Sequence, residues 1–353
     1  VTGAASSAID WTSSGPEEVA EGVFRIPLPL PGDGLKAVNA YLLRGSDGDL
    51  LIDCGWDHPL SWEVLSSQLD RLSSGVRGVR QIFATHFHGD HLGVAGRIRD
   101  ASRAFVTLGL GDRESAMILA TDPALARQRT RELLWRHGAG AVVEALDAVL
   151  ASRPRPDRLS PVPDLFLSSG ALSFEGRQME ILPTPGHTRG HLCLLDSAAG
   201  ILFAGDHLLP HITPSIGVEV PDGGLPLLHF LRSLELVRDL PVKLVLPAHG
   251  PTFPDLPSRV DQLLEHHRQR LRSCQEAVQA GAGSAIEVAR AVPWTRRNRK
   301  FEDLDPFNQM LAVSETAAHL DLLAERAELG RSVSDLGVLF TPASGGFQPA
   351  EAP

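Results

Sequence analysis

Thr85-His86-Phe87-His88-Gly89-Asp90-His91 places three imidazoles and a carboxylate within six consecutive positions, 86–91. The segment follows a short apolar run at residues 81–84 that reads as a strand. A strand ending in a tight loop points alternate side chains the same way, so His86 and His88 face one cavity. Asp90 and His91 then stand at the start of the next helix. Neutral imidazole and carboxylate together suit zinc and similar borderline metals. A single histidine in a polar loop is ordinarily just solvated. Three with a carboxylate at this spacing, behind a strand, point to a metal site.

Three further residues follow strand-like runs in the same manner. His187 lies in Thr184-Pro185-Gly186-His187-Thr188, Asp206 ends Leu202-Phe203-Ala204-Gly205-Asp206, and His249 lies in Pro247-Ala248-His249-Gly250. Each sits where a sheet delivers its strand ends to one edge, the usual place for a site in such folds. Together with His86, His88, Asp90 and His91 they make a set of potential metal ligands in the right chemical mix.

The rest of the chain frames these residues. It has 353 residues, a formal net charge of −10 and 14 histidines. Apolar residues make up 43% and charged residues 22%, which excludes a disordered, collagen-like or coiled-coil chain. The length suggests two domains, or one large domain with an appendage. No run approaches the ~20 apolar residues needed to cross a bilayer, and residues 1–11 lack the basic flank and apolar core of a secretory signal. Cys54, Cys193 and Cys274 lie far apart, which argues against a disulfide framework and for a reducing, cytoplasmic compartment. The acidic balance disfavours nucleic acid as a partner, because phosphate binding needs a basic face. A small-molecule substrate and no membrane are expected.

Residues 1–18 read as a loose leader. A strand is expected over 19–30, short strands over 38–44 and 49–53 joined by Gly45-Ser46-Asp47-Gly48, and a helix over 59–72. Strand 80–84, helix 91–100 and strand 104–108 follow. Residues 111–160 read as an all-helical insertion closed by Arg153-Pro154-Arg155-Pro156. Strands return at 171–174, 178–182, 191–196 and 200–204, then a helix at 226–239 and a strand at 242–246. Beyond 257 the pattern is helical, at 263–280, 285–291 and 308–326, with one strand at 332–340 and an unstructured tail over 342–353. The expected domains are a catalytic domain at 19–256 carrying the insertion, and a C-terminal module at 257–341. The fold class is α+β.

The His-x-His-x-Asp-His motif at 86–91, with His187, Asp206 and His249, resembles the metallo-β-lactamase fold superfamily, over roughly residues 19–255. The resemblance implies a four-layer αββα sandwich with a dinuclear metal site between its sheets. It implies His86, His88 and His187 on one metal, Asp90, His91 and His249 on the second, and Asp206 bridging both. Two divalent ions are therefore expected, zinc first, with iron or manganese as alternatives. The full set is similar to the glyoxalase II, lactonase and ribonuclease Z branches. The tyrosine that follows the bridging aspartate in well-known lactonases has no counterpart, since Asp206 precedes His207-Leu208-Leu209 and the sole tyrosine is Tyr41. Val38-Asn39-Ala40-Tyr41-Leu42-Leu43, Ser215-Ile216-Gly217 and Glu315-Thr316-Ala317-Ala318-His319-Leu320 make the layout similar to a bacterial subgroup with a helical insertion and a C-terminal winged-helix-like domain. Related β-lactamase-like endoribonucleases share that module.

The activity so implied is hydrolysis. A metal lowers the pKa of water from 15.7 to about 7, and a hydroxide bridging the two metals at Asp206 is the expected nucleophile toward an ester, thioester or lactone. Asp90 is expected to guide a proton besides serving as a ligand. Asp53, Thr85 and Thr188 are candidates to orient the imidazoles. His207, beside Asp206, is a candidate acid or substrate donor. The insertion, with Trp135, His137 and several arginines, is placed to cover the cleft and shape substrate choice. Acidic and basic residues balance in the C-terminal module, whose dense basic stretch is Arg296-Arg297-Asn298-Arg299-Lys300. A packing or homodimerising role is therefore expected for it. The competing readings are a single-stranded RNA endonuclease of the same fold and an iron-dependent oxygenase with a mononuclear site.

Overall fold

The early strands at Ala37–Leu43 and Asp49–Ile52 carry near-continuous apolar runs and are buried on both faces, which demands cover on both sides. The computed structural model describes residues 10–12, 15–152, 160–219, 224–295, 298–335 and 337–343. Most of the expected leader, the Arg153–Pro156 breaker run, Arg296 and Arg297, and the tail from 344 onward lie outside the described residues.

The elements run β1 (Glu17–Ala20), β2 (Val23–Pro29), β3 (Ala37–Leu43), β4 (Asp49–Ile52), α1 (Pro59–Leu72), β5 (Val79–Phe83), α2 (Gly89–Leu92), α3 (Ala95–Ser102) and β6 (Phe105–Gly109). Helices α4 (Arg113–Thr121), α5 (Pro123–Arg136) and α6 (Gly140–Ser152) follow. Strands resume with β7 (Leu165–Leu167), β8 (Gly170–Phe174), β9 (Arg177–Pro183), β10 (Leu192–Asp196) and β11 (Ile201–Gly205), then α7 (Pro226–Val237) and β12 (Leu244–Pro247). The chain continues through α8 (Leu256–Gln279), α9 (Ala285–Ala291), α10 (Pro306–Glu325), β13 (Leu329–Ser334) and β14 (Gly337–Pro342).

Two compact units emerge. The first is Val1–Asp122, Pro156–Pro214 and Ser233–Val260; the second is Pro123–Arg155, Ser215–Arg232 and Asp261–Pro353. The stretch expected as one insertion, 111–160, is thereby divided, with α4 in the first unit and α5 and α6 in the second.

Among the described residues of the first unit, strands β1 to β7 form one sheet in chain order and β12-β11-β10-β9-β8 form the other. Both sheets are mixed. Strands β4 to β7 pair in parallel while β1 to β4 pair antiparallel, and in the second sheet only β11 and β12 are parallel. Period-two alternation sorts the side chains. Val23, Tyr41, Leu43, Leu50, Ile52 and Phe83 point from the first sheet into a core shared with Met179, Ile181, Leu194, Ile201, Phe203 and Leu246 of the second. Their neighbours Ile26, Leu28, Ala40, Leu42, Leu51 and Ile82 face outward onto Leu65 and Leu69 of α1, Leu92 of α2 and Ile98 of α3. This is the α+β layered arrangement expected.

Three readings need correction. The single strand over 19–30 is a hairpin, because Gly22 adopts φ +69° and turns the chain. The helix over 91–100 is broken between α2 and α3; Gly93 there packs so closely that a Cβ would stand 2.6 Å from the Asp57 amide, and the Val94 N–H donates to Gly55 O at 3.2 Å. The single strand at 332–340 is the hairpin β13–β14, with Gly337 at φ +119°.

In the second unit, Ser284 caps α9 and Glu287 reaches back to the Ser284 amide, a reciprocal capping box. Asp305 caps α10, with Pro306 at its first turn. Among the described residues no helix is long and apolar enough to cross a membrane.

The inter-sheet core yields a stability prediction. Phe203 is 1% exposed and meets Tyr41 edge-on at 5.6 Å between ring centroids. Phe203→Ala should cost about 3–5 kcal/mol in urea unfolding; a loss below ~1 kcal/mol would show that the two sheets do not share this core.

Candidate metal centre

Strand geometry assembles the centre. β4 and β5 run in parallel with Ile52 beside Phe83, so their ends deliver Asp53 and Thr85-His86 to the same edge. β11 and β12 do the same in the second sheet, with Phe203 beside Leu246, and deliver Asp206 and His249. The turn after β9 adds His187. All lie in the first unit, at the carboxyl ends of strands, where ligands bind in such folds.

The structure brings the ligand atoms into groups. His86, His88 and His187 form one, Asp90, His91 and His249 another, and His86, His91 and Asp206 a third. In the first, His86 Nε2 lies 2.9 Å from His88 Nδ1, and His187 Nε2 lies 3.2 and 3.1 Å from those two nitrogens. In the second, Asp90 Oδ2 is 3.5 Å from His91 Nε2 and 3.3 Å from His249 Nε2. Asp206 stands between the groups. Its Oδ2 is 3.4 Å from His187 Nε2, and its Oδ1 is 3.6 Å from His91 Nε2 and 3.4 Å from His249 Nε2.

Neighbouring groups fix the ring tautomers. His91 Nδ1 donates to Asp53 Oδ2 at 2.8 Å, turning Nε2 into the centre. The Thr85 hydroxyl donates to Asp53 at 2.9 Å and accepts from His86 Nδ1 at 3.1 Å. Asp53 Oδ1 also accepts the Thr85 N–H at 2.8 Å. Asp53 holds this position with φ +55°, a left-handed conformation that aspartate tolerates better than most residues. His249 Nδ1 donates to Ala37 O at 2.8 Å. Nearby, Asn39 Nδ2 donates to Pro247 O at 2.9 Å and Gly250 O at 2.8 Å, bracketing the His249 turn. Each of these partners turns the other ring nitrogen, Nε2, of its histidine inward, as metal-ligating histidines require.

Some residues that matter were not singled out from sequence. His191, fully buried, donates from Nδ1 to Thr184 Oγ1 at 2.8 Å and accepts the Asp206 N–H at Nε2, 3.1 Å away. Asn39 figures in the sequence only within the Val38–Leu43 stretch, with no role of its own, and Asp112 in no motif at all. A lone buried polar residue carries no motif, and only folding brings its partners to it. His207 is also fully buried, its ring 6.1 Å from that of His191, and does not join the grouped ligand atoms. Burial, more than any neighbour, pushes its imidazole down to about 3. His211 is exposed, and His137 belongs to the second unit.

The two groups differ in charge. Burial, reinforced by His187, pushes His88 down to about 3, and burial with His91 holds His86 well below the ordinary range. Burial also opposes charge on His91, but the carboxylates of Asp90, Asp53 and Asp206 outweigh it and raise that ring to about 10. His249 is raised in the same way by Asp206 and Asp90 against burial. Asp90 is held below the usual carboxylate range by His91 and His249 despite its burial.

A cation fits this donor set. His91 Nε2, His249 Nε2 and Asp206 Oδ1 are buried polar atoms without a hydrogen-bond partner, a condition native proteins rarely leave unexplained. Nitrogen and carboxylate oxygen are the donors that borderline divalent metals take.

A family model described as the metallo-beta-lactamase superfamily matches residues 33–249. The lactamase-like protein nscB of Aspergillus fumigatus is 28% identical over 239 residues, covering 67% of this chain and 55% of that protein. The chain thus spans about half the length of that relative. The acyl-coenzyme A thioesterase MBLAC2 of Bos taurus is 30% identical over 262 residues, covering 70% of this chain and 84% of that protein. Among solved structures, a metallo-beta-lactamase family protein of Thermus thermophilus superposes with a TM-score of 0.75 at 27% identity, covering 92% of this chain and 99% of that chain.

The raised His91 predicts proton release. Near neutral pH the cation-free ring is protonated, so a cation must displace that proton, and affinity should rise with pH toward about 10. Zinc titration calorimetry in buffers of different ionisation enthalpy checks this. Heats independent of the buffer would contradict it.

Proposed function

Because the chain belongs to the metallo-beta-lactamase superfamily, we propose that it is a hydrolase using two divalent cations on a small ester, thioester or lactone. The observation that carries this reading is Asp206, whose two oxygens face two different ligand groups, 3.4 Å from His187 on one side and 3.4 Å from His249 on the other. His86, His88 and His187 would hold one cation, Asp90, His91 and His249 the other, and Asp206 both. Zinc suits the mixed nitrogen and oxygen donors best, with iron and manganese as alternatives. When bound, the cations supply Lewis acidity toward a carbonyl oxygen and make water acidic enough to lose a proton near neutral pH.

The chain's own residues do the rest. Asp53 and Thr85 hold His91 and His86 against rotation, Ala37 O fixes His249, and His191 anchors the Asp206 backbone. Such fixed partners keep reacting groups from having to reorganise during the reaction. Asp90 has a side chain 25% exposed, against 10% for Asp206. It is the carboxylate we assign to holding a proton between the attacking water and the leaving group.

Within this class a thioester or simple ester is favoured over the lactones whose hydrolysis relies on a tyrosine. Tyr41 is buried and its hydroxyl donates to Pro247 O at 2.7 Å, so it is not free to meet a substrate. The name of the bovine relative, a thioesterase, agrees with this choice. The net charge of −10 speaks against RNA. Cys54, Cys193 and Cys274 are all buried and unpaired, which supports a reducing, cytoplasmic setting.

His88→Ala tests the reading. The variant should lose one of two cations by elemental analysis. It should also lose hydrolysis of an acyl-coenzyme A thioester by ~100-fold or more, at or beyond what removing an outer partner of a ligand costs. Full activity in the variant, or RNA as the only compound cut in a panel with esters, thioesters and lactones, would overturn it.

A further inference from the structure

Asp112 follows β6 in Leu110-Gly111-Asp112, a stretch without any motif. Its side chain is fully buried. Oδ2 accepts the Phe87 N–H at 3.1 Å and the Thr188 hydroxyl at 3.0 Å, and Oδ1 accepts the Gly190 N–H at 2.6 Å. Phe87 lies between the ligands His86 and His88. Thr188 follows the ligand His187, and Gly190 precedes His191, which holds the Asp206 amide. One carboxylate from the first sheet therefore ties the His86–His88 loop to the His187–His191 turn of the second.

The backbone is cut to admit this contact. A Cβ on Gly109 would run into Gly190 O, one on Gly111 into Arg189 O, and one on Gly190 into the Asp112 amide. Only glycine lets the two segments approach so closely. A buried carboxylate filled by three donors is also a charge-assisted arrangement, stronger and shorter than neutral hydrogen bonds. Replacing one oxygen by an NH₂ group would set donor against donor at the Gly190 or the Phe87 amide.

We propose that Asp112 is a positioning residue that clamps the two histidine loops together and thereby sets the cation affinity of the His86, His88 and His187 group. This rests on the two-cation reading above. Asp112 touches neither cation nor substrate; it acts through the backbone on either side of the ligands.

The test uses the full chain and zinc as the probe. Chelator-competition titrations of wild type resolve two binding steps, assigned with His88→Ala and His249→Ala. Asp112→Asn should weaken the step lost in His88→Ala by ~10–100-fold, as removal of an outer partner does, and leave the other step nearly unchanged. A general loss of structure would weaken both steps and lower the melting temperature of the cation-free protein. Amide hydrogen exchange of cation-free protein should be faster at Phe87 and Gly190 in the variant. Thr188→Val, which removes one donor but keeps the carboxylate, should shift the same step by a smaller factor, and it carries the test alone if Asp112→Asn does not fold. Unchanged affinity at that step, or equal loss at both, overturns the clamp. If wild type takes up no zinc, the two-cation reading fails, and the exchange rates at Phe87 and Gly190 still decide whether Asp112 clamps the loops.

Discussion

Crowding five imidazoles and two carboxylates at one sheet edge, largely out of water, is the constraint on which the first unit depends. Unpaired polar atoms are costly there, and His86, His91, His249 and the Asp206 backbone are each held by a partner on the far side. Asp53 serves His91 and Thr85, and through Thr85 it serves His86. The Ala37 carbonyl serves His249, and His191 serves the Asp206 backbone. The packing leaves no slack. Gly205 sits at φ +49° where a Cβ would stand 2.7 Å from His191 Nε2 and 2.8 Å from Thr85. A glycine at the end of β11 is therefore a condition of the centre and not a loop accident.

These supports divide the centre into two kinds of environment. In the His86, His88 and His187 group, burial holds His86 and His88 well below the ordinary imidazole range. The Asp90, His91 and His249 group is rich in charge, because Asp53, Asp90 and Asp206 surround His91. Asp206 belongs to both. Its two oxygens face one group each, 3.4 Å from His187 and 3.4 Å from His249.

Much of this was legible in the sequence, for physical reasons. The His-x-His-x-Asp-His segment concentrates rare chemistry at a spacing that ordinary loops do not need. His187, Asp206 and His249 each follow a short apolar run that reads as a strand. Asp53 was reachable by the same logic, as the acidic end of a short apolar run. Asn39, Asp112 and His191 were not, because each is a single polar residue outside any motif, whose meaning lies in partners that only folding brings to it. Asn39 bonds Pro247 and Gly250, more than 200 residues away. The misread elements share another cause. Gly22, Gly93 and Gly337 each redirect the chain through backbone freedom or close approach, which apolar periodicity does not register. β7, three residues long, is too short to show any period.

The central claim is that Asp206 is shared by two cations at one edge of the sandwich. Anomalous diffraction at the zinc edge, from crystals grown with zinc, tests it most directly. Two peaks are expected, one beside His86, His88 and His187 and one beside Asp90, His91 and His249, with one Asp206 oxygen turned to each. A single peak, or two peaks of which one lies away from Asp206, would contradict it.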